Sequence, residues 1–121
     1  MSVQRELPDM HDWEIEGVNA DRFGNTVKIF LNIPANDEKS SLTLRGVKRF
    51  FLSNMAMQNV ILDLFIFNEI EDSDYFGHCC RILKIESSIF RSEKNIKLIY
   101  FEPSVGAELA CCFTDFNFDK T

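Results

Sequence analysis

The sequence predicts a mostly β fold, an antiparallel open barrel or sandwich with one minor helix, with an α+β fold as the alternative. Two observations carry this prediction. In several segments apolar residues recur at every second position, which is the period of a strand with one buried face. Glycine or proline stands where that alternation ends or changes phase, as is typical of turns and bulges.

The clearest element is a hairpin made by the first two predicted strands. Apolar and acidic residues alternate in 13–16, and Gly17 then shifts the phase as a β-bulge would. Residues 23–25, Phe-Gly-Asn, supply turn chemistry, and 27–33 alternates again as the returning strand. We therefore expect these two strands to pair antiparallel.

Two segments, Val47–Asn59 and Val105–Cys112, fit the spacing of a strand and that of a helix. A strand is favoured for both because the neighbouring segments are strands and consecutive strands usually pair. A short helical turn is expected within 54–59. Pro103 and Ser104 are expected to end the strand that begins near Ile96, because proline cannot donate to a strand ladder.

Length and composition predict a single domain over 1–121. No internal repeat or linker divides the chain. Four residues that are central in their predicted strands are expected to point into the core: Trp13, Leu31, Leu64 and Leu98.

The charge of the chain favours some partners over others. Its 19 acidic and 13 basic residues give a net charge of −6, which repels a phosphate backbone and attracts a basic protein. Nucleic acid is therefore not an expected partner. Arg45, Lys48 and Arg49 form a small basic cluster that we expect to be solvated or paired with the chain's own acids.

The apolar segments are too short for a membrane. None reaches the length of a bilayer span, and Asp63 interrupts the longest. The first nine residues lack the apolar core of a secretory signal, so a cytoplasmic location is expected and a membrane partner is not. The four cysteines are expected as thiols in that compartment.

An acidic segment follows the apolar run 60–67 without any lysine or arginine. Its carboxylates repel one another, so either water solvates them or a cationic partner meets them. Tyr75 and Phe76 lie beside them and favour a contact surface, with packing into the core as the alternative. The residues predicted to bind a partner are Glu69, Glu71, Asp72, Asp74 and Tyr75.

The sequence predicts no catalytic residue, metal ligand or cofactor site. His11 lies where the first strand starts, and bonding to backbone is expected of it rather than catalysis. The cysteines form adjacent pairs, 79–80 and 111–112, and adjacent strand residues point to opposite faces, which suits zinc poorly. The alternative is a small β-barrel enzyme or ligand-binding protein that uses His11 or His78 with the cysteines.

Four short phrases resemble small bacterial β-rich immunity proteins of contact-dependent inhibition and related polymorphic toxin systems. The phrases are His11-Asp12-Trp13-Glu14-Ile15, Gly46-Val47-x-x-Phe50, Gln58-Asn59-Val60-Ile61-Leu62-Asp63 and Pro103-Ser104-Val105-Gly106-Ala107-Glu108. The resemblance implies a cytoplasmic protein that binds and neutralises one toxin domain, often a basic nuclease. It supplies no catalytic residues and no interface positions. A structural interaction module is a further alternative.

Overall fold

The structure, a computed structural model, describes residues 7–120, and this part of the chain forms eight strands and two helices. In chain order they are β1 (Glu14–Asp21), β2 (Thr26–Ile33), β3 (Glu38–Arg45), β4 (Arg49–Ser53), β5 (Val60–Phe67), α1 (Asp74–Leu83), α2 (Ile89–Ser92), β6 (Lys97–Val105), β7 (Glu108–Phe113) and β8 (Asp115–Lys120). The strands form one antiparallel sheet in the order β4-β7-β6-β5-β1-β2-β3-β8. It is not closed into a barrel. The predicted open, mostly β fold is confirmed.

The shortest strand pairing in the sheet is the one between β1 and β5. A single register pair, Glu14 with Val60, joins these strands, whereas β1 and β2 pair along most of their length. This join separates two four-stranded halves, β4-β7-β6-β5 and β1-β2-β3-β8. Both halves contribute to one apolar cluster, which includes Leu31 and Leu42 from one half and Ile99 from the other. The sheet therefore folds over a shared core, as in an open sandwich.

A second apolar cluster lies on the opposite face of β5, β6 and β7, where α1 covers the sheet. Phe76, Cys79 and Leu83 point from α1 into this cluster and pack with Leu98 and Tyr100 among others. Such spacing places all three on one helix face. This helix was not predicted from the sequence.

Capping residues explain where α1 begins and ends. At its start the Ser73 hydroxyl accepts a hydrogen bond from the Phe76 N–H, and at its end Lys84 adopts a left-handed conformation and closes the last turn. α2 is a single short turn. Within 7–120 neither helix is long and apolar enough to cross a membrane.

The hairpin and both ambiguous segments follow the prediction. The β1–β2 register shifts between Ile15 and Gly17, so the bulge is where the sequence placed it. Strands β4 and β7 occupy the two segments that also fitted a helix. The helical turn expected within 54–59 is wrong: Asn54 has a positive φ of 59° after β4, and no helix forms there.

The expectation that Pro103 ends its strand is also wrong. Strand β6 continues to Val105, and the β5–β6 register is irregular opposite the proline, between Val60 and Asp63. An irregular ladder accommodates a residue that has no N–H to donate.

Two of the four expected core residues are fully buried. Leu31 and Leu98 are 1% and 0% exposed. Trp13 and Leu64 are half-buried and pack against the first core from its rim. The basic cluster pairs partly with the chain's own acids, as expected: a terminal nitrogen of Arg45 lies 2.8 Å from Asp115. A second contact joins Lys48 to Glu93 at 3.4 Å.

Candidate partner-binding surface

Three carboxylates lie side by side on three neighbouring strands. Asp63 on β5 is directly opposite Glu102 on β6. The last register pair of β6 and β7 is Phe101 with Leu109, so Glu102 and Glu108 come next to each other on these strands. We call Asp63, Glu102 and Glu108 the carboxylate row. Its members share the sheet face that α1 covers, because side chains two residues apart point the same way.

The carboxylate row is electrostatically unfavourable within the chain. Like charges directly opposite on neighbouring strands destabilise a sheet. Among the described residues no lysine or arginine forms an ion pair with any member of the row. The row therefore presents negative charge that the sheet itself does not neutralise.

The first turn of α1 brings Tyr75 onto this row. Its hydroxyl donates a hydrogen bond of 2.9 Å to Glu102, and its ring stacks on Phe65 with 4.1 Å between the centroids. The hydrogen bond to Glu102, together with burial, raises the pKa of Tyr75. With 38% of its surface exposed, Tyr75 is an ordered aromatic residue that a partner can reach. Phe76 instead packs into the second core.

His78 lies one helical turn after Tyr75 and contacts the end of the row. Its Nε2 is 2.7 Å from Glu108 Oε2, and the Tyr100 hydroxyl donates to the same oxygen at 2.5 Å. Burial alone would raise the pKa of Glu108, but the hydrogen bonds from Tyr100 and His78 outweigh it and the pKa is lowered. Glu108 is therefore held in its charged form.

A Tyr100→Phe substitution tests this hydrogen bond. A lowered pKa in the folded state means that Glu108 stabilises the fold above its unfolded-state value of about 4.5 and that this contribution is lost as pH falls through the folded pKa. Removing the Tyr100 donor should move the pKa of Glu108 upward, which a carboxyl NMR titration measures. Tyr75→Phe is the matched control, because Tyr75 donates to Glu102. An unchanged Glu108 midpoint in the Tyr100 variant would contradict the arrangement.

Of the residues predicted from the acidic segment, Tyr75 contacts the carboxylate row. Glu69, Glu71 and Asp72 are exposed in the connection between β5 and α1, and Asp74 is the first residue of α1. A carboxylate in the first helical turn is favourable, so Asp74 has a structural reason to be acidic. The connection leads directly into Tyr75, which joins the predicted segment to the carboxylate row.

His11 bonds to the backbone, as expected from its place at the start of the first strand. Its Nδ1 donates to the Leu62 carbonyl oxygen at 2.7 Å, and its Nε2 lies 3.5 Å from Asp12. The bond to Leu62 and the charges of Asp12, Asp9 and Asp63 raise the pKa of His11. His11 therefore borders the acidic surface near Asp63, and its ring is occupied in holding the chain segment before β1 on β5.

All four cysteines are free thiols; Cys79, Cys111 and Cys112 are buried, and Cys80 is half-buried. Cys79 and Cys80 lie on α1, which corrects the expectation that this pair sits on a strand. Burial raises the pKa of Cys79 to about 12 and that of Cys112 to about 11, so their nucleophilic thiolate forms are disfavoured. Burial also raises the pKa of Cys111. Within 7–120 no three histidine, cysteine or acidic side chains are arranged to hold a metal ion.

Three of the clefts on the described surface, with volumes of about 260, 430 and 380 Å³, are lined by neither histidine nor cysteine. The alternative of an enzyme that uses His11 or His78 with the cysteines stays a prediction.

Comparison of the chain with protein-family models, with curated proteins and with solved structures finds no match. The function must therefore be argued from the surface itself.

Proposed function

We propose that this chain is a cytoplasmic immunity protein that binds a cognate basic toxin domain and neutralises it through the acidic surface. The observation that supports this most is the carboxylate row, in which Asp63 and Glu102 face each other without a lysine or arginine partner among the described residues. The exposed carboxylates between β5 and α1 add to the negative charge of the chain.

The row favours a cationic protein as its partner. An unfavourable cross-strand pair costs about 0.2–1 kcal/mol in the free chain, and lysine or arginine side chains of a partner would offset that cost on binding. The net charge of −6 would also attract such a partner over long distances and speed encounter. Tyr75, which donates to Glu102, adds a partly exposed aromatic ring, a residue type that often contributes strongly to binding.

The proposal predicts that the adjacent upstream gene encodes a protein with a toxic C-terminal domain, and it is tested with that domain in purified form. Mixed with the purified chain, this domain should form a complex that elutes as one species, and its toxic activity should fall to zero at one equivalent. Toxic activity that persists in an excess of the chain would contradict an immunity function. Binding with undiminished activity would instead favour a structural interaction module.

A further inference from the structure

The exposed apolar side chains are concentrated near the acidic surface. Eight large apolar side chains are exposed within 7–120, and six of them lie in segments that adjoin the carboxylate row or the β5–α1 connection: Met55, Met57, Leu62, Ile70, Tyr75 and Val105. The other two have cations of the chain over their rings. Arg22 lies 5.4 Å from the centroid of Phe23, and Lys28 lies 5.3 Å from that of Phe30.

Met57 is the most exposed of the six. Its side chain is fully exposed, and Met55 and Val105 beside it are 42% and 48% exposed. All three lie at the sheet end where the row ends: β4 finishes at Ser53, which pairs with Glu108. We call Met55, Met57 and Val105 the methionine projection. Exposed apolar side chains in neighbouring segments are typical of contact surfaces.

The backbone that carries the methionine projection is fixed by one buried side chain, Asn59. Its Oδ1 accepts from the N–H groups of Ala56 at 2.9 Å and Ala107 at 3.0 Å. Its Nδ2 donates to the carbonyl oxygens of Ala56 at 2.9 Å and Ile15 at 3.1 Å. These bonds tie the loop after β4 to the β6–β7 turn and to β1. The projection is thus held in position before any partner arrives, which lowers the entropic cost of binding.

The turn beneath the projection requires glycine. Gly106 has a φ of +80°, and a Cβ there would come within 2.3 Å of Asn59 Oδ1 and 2.6 Å of the Gln58 carbonyl oxygen. The close approach lets Asn59 reach Ala107. Asn59 and Gly106 therefore both hold in place a segment whose own side chains are exposed to solvent.

We propose that the methionine projection inserts into an apolar pocket on the basic toxin domain, while lysine or arginine side chains around that pocket meet the carboxylate row. This deepens the proposed function and rests on it. Charge complementarity selects the occupant. Ser53, two residues before Met55, pairs with Glu108 of the row, so a pocket rimmed by cations fits and an acidic one is repelled. Methionine suits the contact because its flexible thioether adapts to irregular pockets.

The test is the dissociation rate of the complex with the purified toxin domain, compared between the wild-type chain and Met57→Ser. Removal of a buried apolar anchor should speed dissociation about tenfold or more and leave association and its salt dependence nearly unchanged. Met57→Leu should restore slow dissociation. Phe23→Ser is the matched control, because Phe23 is 88% exposed at the β1–β2 turn and should not affect the complex.

The outcomes separate this inference from the proposed function. Met57→Ser should fold normally, since its side chain is fully exposed, and equal unfolding curves would verify this. If a folded Met57→Ser chain dissociated from the toxin domain at the wild-type rate, the inference would be overturned. Neutralisation of the toxin by the wild-type chain would then still support an immunity function. Failure of the wild-type chain to bind the toxin domain would overturn both.

Discussion

Asn59→Ala is expected to lower the free energy of unfolding by about 2–4 kcal/mol, although it removes only one small polar side chain. The side chain is 2% exposed and makes four hydrogen bonds to backbone groups of three chain segments. Its loss leaves the buried N–H of Ala107 without that acceptor. It also loosens the contact between β1 and the turn at Gly106, where the two halves of the sheet are joined by one register pair.

Chemical denaturation of the purified chain measures this effect. Asn68→Ala is the matched control, because Asn68 is exposed at the start of the β5–α1 connection and should change stability by less than about 0.5 kcal/mol. Equal unfolding midpoints for the two variants would mean that Asn59 does not hold the loop after β4. The same Asn59 variant should weaken toxin binding, since the methionine projection would lose its support.

Local patterns in the sequence predicted the strands that pair with their chain neighbours. The β1–β2 hairpin needs only alternation, a glycine bulge and a short turn, all of which lie within twenty residues. Helix α1 was missed because Gly77 is a weak helix former. Phe76 and Cys79, which share a helix face with Leu83, also have Tyr75 and Cys80 as direct neighbours. Apolar residues therefore do not recur at a clear helical period in this segment. The Ser73 cap was the signal that could have located its start.

The carboxylate row could not be predicted because it depends on pairing between distant strands. Asp63 and Glu102 are neighbours only once the β5–β6 register is known, and an irregularity at Pro103 shifts that register. The sequence predicted the acidic segment and Tyr75, but it gave no reason to place Glu108 beside them. For His78 the sequence suggests only catalysis or metal binding, since its contact with Glu108 joins residues thirty positions apart.

The second large effect is expected from reversing one charge in the row. Asp63→Lys places a cation opposite Glu102, so the fold should be as stable as the wild type or slightly more stable. Association with the basic toxin domain should nevertheless slow on the order of tenfold at low salt, because charge acts mainly on encounter. Replacing Glu69 and Glu71 by lysine tests in the same way how much the β5–α1 connection contributes to the association rate.

Glu86→Lys is the matched control for Asp63→Lys. It changes the net charge by the same amount, and Glu86 is exposed beyond the other end of α1. If net charge alone governed encounter, both variants would slow association equally. If the carboxylate row receives the partner, Asp63→Lys should have the much larger effect.

The most direct test of the acidic surface is the association rate constant of the wild type, Asp63→Lys and Glu86→Lys with the purified toxin domain across a range of salt concentrations. We expect the wild-type rate to fall steeply as salt screens the charges, the Asp63 variant to start lower and fall less, and the Glu86 variant to follow the wild type. Equal rates and equal salt dependence for all three proteins would contradict binding through the carboxylate row.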